Sequence, residues 1–297
     1  MGRTACCVLL ACALVLAGCS GFVGDEPGAE VGSEASDDGG SAASVTPAPV
    51  PAATGTERLA PGLTDAGVTS ASELAVAHNR VLRDRSFTLR TNRTTTYANG
   101  SVRSHTAGIV RVEPNGEAIG TRYERTGVPL IRLTSGSTIV RSERWFGGEQ
   151  GLAAVAYANG TREYYRQPAN DGSVILRSFT NDGERYGRLL SGVETRVTGR
   201  VERDGTTLYR VRSSGLSSGL VQFPRFESVG NGTFEGLVGP EGFVYHHRLT
   251  YTATTENGST LRITESRRYE EIGETTVSRP LWYDEALNRT NATDDDR

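Results

Sequence analysis

The chain has 297 residues and a net charge of -3, and all 32 of its Lys-plus-Arg residues are Arg. The absence of Lys excludes a Walker A lysine, a Schiff-base lysine and a Ser-Lys dyad, and the near-neutral balance leaves no electrostatic footprint for nucleic acid. All four Cys lie at or before Cys19, so the remainder has no disulfide, no thiolate metal site and no cysteine nucleophile.

The amino terminus reads as an export signal. Arg3 supplies a short positive region. Ala5 to Leu16 is an apolar run too short to cross ~30 Å of hydrocarbon as a helix, but suited to a secretory signal. It runs into Leu16-Ala17-Gly18-Cys19, which resembles the lipobox of prokaryotic lipoproteins. The resemblance implies cleavage before Cys19 and a lipid on its thiol, and hence a protein held at the outer, extracytoplasmic face of the cell membrane. There is no twin arginine to suggest export in the folded state. Residues 20–68 are Gly, Ser, Ala, Pro and acidic residues, too poor in apolar side chains to offset the entropy of ordering. They are expected to form a disordered tether spanning roughly 35 Å as a flexible coil.

The domain is expected over 69–287, with 288–297 as an acidic tail. It opens with Ser70-Ala71-Ser72-Glu73, a capping box in which Ser and Glu satisfy each other's backbone donors. Ala71, Leu74, His78, Val81 and Leu82 then follow at helical spacing. From Ser86 the grammar is β. Asn99-Gly100, Asn115-Gly116, Asn159-Gly160, Asp171-Gly172, Asp204-Gly205 and Asn257-Gly258 each suit a tight hairpin. The clearest strand is 243–251, where Phe243, Tyr245, His247, Leu249 and Tyr251 share one face. About ten antiparallel strands in meander order are expected. A short helix from about Asp182 to Leu190 interrupts them.

Two motifs invite catalysis or metal binding, and neither has the right surroundings. Gly215-Leu216-Ser217-Ser218-Gly219 matches G-x-S-x-G, but a nucleophile elbow needs a helix after it. Leu220-Val221-Gln222-Phe223-Pro224 begins none. His246 and His247 are neighbours in a strand, so they point to opposite faces and cannot share an ion. No catalytic residue, metal site or cofactor is expected. Asn92, Asn99, Asn159, Asn231, Asn257, Asn288 and Asn291 each begin an N-x-S/T sequon, and two or three of them are expected to carry glycans.

One helix, a run of hairpins and a short middle helix behind a lipobox resemble the LolA/LolB-like lipoprotein-carrier fold, which LprG-type lipoproteins share. The lysine-free, Arg/Thr/Gly-rich composition and Asp-rich termini look most like a set of haloarchaeal lipoproteins. The resemblance implies a mainly β (α+β) fold, a long antiparallel sheet curved into a half-barrel with the two helices on its concave face. It also implies a cavity for an acyl chain or other amphiphile, for which Leu74, His78, Leu82, Tyr245, His247 and Leu249 are the candidate lining. The expected function is therefore non-catalytic binding or carriage of a hydrophobic or amphiphilic ligand. The alternative is a structural or interaction module of the cell surface whose core is filled by its own side chains. The membrane, through Cys19, is the one partner the residues name; a protein partner is not legible.

Overall fold

Alternating polar and apolar residues between Gly-containing turns build one long sheet. The computed structural model describes residues 56–128, 138–216 and 226–294. The sheet is antiparallel, has eleven strands and curves into an open half-barrel.

Its strands fall into two meanders. The first runs β4 (Phe87–Tyr97), β5 (Val102–Val112), β6 (Ala118–Gly127), β7 (Ile139–Gly147), β8 (Gln150–Tyr157) and β9 (Arg162–Arg166). The second runs β10 (Thr195–Arg203), β11 (Thr206–Ser213), β12 (Phe226–Val238), β13 (Val244–Thr255) and β14 (Thr260–Glu270). The last strand pairs with the first, from Leu261 opposite Tyr97 to Glu270 opposite Thr88, without a bulge. The open edges are thus β9 and β10, and two of the helices lie in the connection between them.

The opening helix is α1 (Ala71–Arg83). Ser70 caps it, its Oγ accepting from the Glu73 backbone N–H at 3.2 Å. Only that half of the expected box forms: the Glu73 carboxylate pairs with Arg58 instead. Leu74, His78 and Leu82 form the buried stripe.

The connection holds two helices where one was expected, α2 (Ala169–Thr180) and α3 (Gly183–Leu190). Asp171-Gly172, read as a hairpin turn, lies inside α2. Asp171 sits in the first turn, where the helix dipole favours a carboxylate. Gly172 has no positive φ; a Cβ there would come within 3.3 Å of the Phe146 ring, so the glycine serves close packing. Gly183 does the same between α1 and α3. Its Cβ would fall 2.2 Å from the Ala75 carbonyl, and its N–H donates to Asn79 Oδ1 at 2.7 Å.

Both domain boundaries move outward. Residues 58–68, assigned to the tether, form a small sheet of β1 (Arg58–Ala60), β2 (Leu63–Thr64) and β3 (Gly67–Val68). Leu59, Ala60 and Leu63 are buried in the main core, and that burial orders a segment whose composition is otherwise that of a linker. Residues expected in the acidic tail belong to α4 (Tyr283–Asp294). Trp282, Tyr283 and Ala286 pack with Trp145, Leu152 and Ala154 on the side of the sheet away from the other helices. Among the described residues, no helix is long and apolar enough to cross a membrane.

Candidate functional site

Five of the six residues expected to line a cavity lie in packed interior, and the sixth, Tyr245, is half-buried at its edge. Leu74 and Leu249 belong to the cluster that α1, α3 and the small sheet make with β11–β14. Leu82 joins a second cluster with Phe87, Val110 and Ile119, against which the half-buried Tyr245 packs. His78 and His247, both fully buried, sit among aromatic rings. His78 stacks on Phe243 with centroids 4.6 Å apart, and its Nδ1 accepts from the Val244 N–H at 3.2 Å. His247 Nδ1 lies 3.0 Å from the Tyr186 hydroxyl. Burial pushes His78 down to about 3, against the pull of Asp182, and pushes His247 well below the usual histidine range. Both rings are therefore neutral. His246 lies on the opposite face, as strand alternation requires.

The chemistry lies further along the same strands. Residues of one strand alternate between faces, so Phe87, Leu89, Thr91, Arg93 and Thr95 of β4 all point to the concave side. The row begins apolar, with Phe87 and Leu89 fully buried, and turns polar at Thr91. The paired rows turn at the same level: Val112 and Val110 give way to Gly108 and Thr106 on β5, and Tyr269 gives way to Arg267 and Glu265 on β14. On β6, Ile119 gives way to Tyr123 and Arg125. A groove of about 570 Å³ opens on this polar half, bordered by α3 through Arg185. None of the six expected cavity residues lines it.

Glu265 organises one wall. Arg185 Nη2 donates to it at 2.5 Å, the Tyr251 hydroxyl donates at 3.1 Å, and Arg93 Nε lies 3.5 Å away. Behind it, Arg267 is paired with the buried Asp182, which also accepts from the Tyr269 hydroxyl at 2.9 Å. Burial works against the Arg267 charge, but Asp182 more than offsets it and holds the guanidinium protonated. The floor is Tyr123, whose ring lies across Gly108; a Cβ on that glycine would come within 2.5 Å of the ring. Burial pushes the Tyr123 phenol up, against Arg267, Arg144 and Arg125, so it stays protonated and can donate. Arg125 and Arg144 are exposed and make no ion pair among the described residues. The arrangement can grip a polar or negatively charged group. Among the described residues no group of three or more His, Cys, Asp or Glu is placed to hold a metal.

The sequence contained a usable sign of this groove. Several strands sharing a sheet each switch from apolar to polar on the same face partway along, and pairing register alone would have aligned the switches.

Cys19 and residues 217–219 of the G-x-S-x-G stretch lie outside the described residues. All seven sequon asparagines are exposed. Asn99, Asn159 and Asn257 are at hairpin tips, Asn231 is in an irregular stretch of β12 at φ 47°, and Asn92 is in mid-strand. Asn288 and Asn291 are in α4, where Asn291 Oδ1 accepts from Arg166.

No protein-family model matches the chain, and no curated protein matches it in sequence. Among solved structures it is similar to a DUF1329 family protein from Desulfovibrio piger, with a TM-score of 0.26 and 9% identity over 72% of this chain and 95% of that one. It is also similar to MucB, solved in complex with MucA(peri), with a TM-score of 0.28 and 13% identity over 73% of this chain and 59% of that one. Likenesses of this size carry no conclusion about ligand or partner.

Proposed function

We propose that this chain is a lipid-anchored, extracytoplasmic binding protein that takes its ligand on the polar half of the concave face, without catalysis. The observation that carries the reading is the groove over Tyr123, Thr106 and Arg125. Ligand sites are concave and hold a few convergent polar groups, and here aligned strand rows supply them. The apolar half of the same face is filled by its own side chains, so an acyl chain has no vacant place beside Leu74 and Leu82. The lipobox at Cys19 and the polar tether after it support an anchor that leaves the domain free of the bilayer. Two acyl chains suffice for stable anchoring where one is marginal.

Two measurements test this. Native mass spectrometry of the exported protein should show a co-purifying polar molecule that extraction removes. Cys19→Ser should move the protein from the membrane fraction to the medium, or stall it as precursor. Membrane association unchanged in Cys19→Ser sinks the anchor, and a protein without any adduct argues against the binding role. A second reading, a surface interaction module with a closed core, is favoured by the complete burial of Leu74, His78, Leu82 and His247. Its signature is adduct-free protein that nevertheless forms a stable complex with another exported protein.

A further inference from the structure

We infer that the ligand of this groove carries a phosphate group, seated over Tyr123 and Thr106 and gripped by Arg125. The inference rests on the binding reading above and names the chemistry of its ligand.

The first support is charge. Five guanidiniums, those of Arg93, Arg125, Arg144, Arg185 and Arg267, surround this part of the concave face, and two carboxylates, Glu265 and Asp182, face them. Both carboxylates are already engaged: Glu265 by Arg185, Arg93 and the Tyr251 hydroxyl, Asp182 by Arg267 and the Tyr269 hydroxyl. Positive charge is therefore left over, and it falls on Arg125 and Arg144, which have no acidic partner among the described residues. A cleft with an excess of one sign of charge, walled by protein, concentrates its field on the space between.

The second support is register. Arg93, Thr106 and Arg125 stand opposite one another on β4, β5 and β6. Neighbouring strands are about 4.8 Å apart, so two arginines flank a hydroxyl across roughly 10 Å of sheet. From β6 the long Arg125 side chain can reach an oxyanion above Thr106, and Arg93, held by Glu265 and the Tyr251 hydroxyl, flanks that place from β4. Guanidinium geometry suits phosphate and carboxylate oxygens, and the hydroxyls of Thr106 and Tyr123 add donors from the floor. Gly108 matters here as well: only a residue without a side chain lets the Tyr123 ring lie across β5 and leaves the space above it open.

The test uses the full exported chain and isothermal titration calorimetry at low salt. Two probes are titrated, inorganic phosphate and dihexanoyl phosphatidic acid. Binding of both with similar affinity assigns the site to a free phosphate group, and binding of the lipid alone assigns it to a lipid headgroup; either supports the anion. Arg125→Gln, an exposed and unpaired position, should weaken the bound probe about tenfold, and Arg125→Lys should recover part of the loss. Raising the salt should weaken wild type more than Arg125→Gln. Failure of both probes to bind, or an affinity that Arg125→Gln leaves unchanged, overturns the inference. If both probes fail while native mass spectrometry still finds a neutral adduct, the anion is wrong and the binding reading stands. If there is no adduct either, both fail.

Discussion

The concave face has two halves made by the same strands, and they obey different rules. Near the start of β4, Phe87 and Leu89 meet Leu82, Tyr269 and Val110 in a packed layer beneath the helices. Two residues further, Thr91 and Arg93 line a groove with Tyr123 and Arg125. One strand thus pays into stability at one end and offers chemistry at the other. The difference separates the LolA-like expectation into two parts: the half-barrel holds, whereas the helix-covered half is core and the groove lies beside it.

Substitutions can break this contrast, and the largest effect should come at the seam between the halves. Asp182→Ala leaves the Arg267 guanidinium buried without its carboxylate. Losing one partner of such a pair typically costs about 3–5 kcal/mol, to be read as a fall in the urea midpoint. Next come Leu74→Ala and Leu82→Ala. Both leucines are fully buried, so each should cost about 2–5 kcal/mol. A cost near zero at both would mean that α1 is not docked.

Acid should weaken the apolar half through its histidines. His78, usually near 6.5, is held down to about 3, and His247 well below its usual range. Between those values the unfolded chain binds protons that the folded chain refuses. Stability is therefore level above about pH 7 and is lost as pH falls from 6.5 toward 3. One pKa unit is worth about 1.4 kcal/mol, so the urea midpoint should drop steeply across that window, and His247→Phe should flatten the slope. A midpoint flat from pH 7 to 4 would mean these rings are hydrated. The smallest effect belongs to the polar half: Thr106→Ala, at a partly exposed position, should change stability by less than about 0.5 kcal/mol.

Much of the architecture was legible because its signals are local. Ser70 before an apolar stripe marks α1, and Asn99-Gly100 and Asp204-Gly205 mark hairpins by the backbone they require. What was not legible depends on distant partners. The pairing of β14 with β4 joins residues far apart in sequence, and no local pattern announces it. The small sheet at 58–68 is ordered by burial of Leu59 and Leu63 against α1 and the main sheet. Gly172 looked like a turn because the ring it accommodates, Phe146, is on a strand distant in sequence. The groove was hidden for a related reason: each strand reads as mixed until its register with its neighbours is known. The stripe of α1 was readable, but whether it closed a core or lined a cavity depended on Tyr186 and Phe243 filling the space around His78.

The claim that one half binds and the other only holds the fold is tested most directly by comparing ligand occupancy in two variants. Thr106→Trp fills the groove from its floor, and Leu82→Ala opens the packed half. Native mass spectrometry of both, purified alongside wild type, should show the co-purifying molecule lost from Thr106→Trp and retained in Leu82→Ala. Retention in Thr106→Trp together with loss from Leu82→Ala would contradict the account and return the ligand to the helix-covered half.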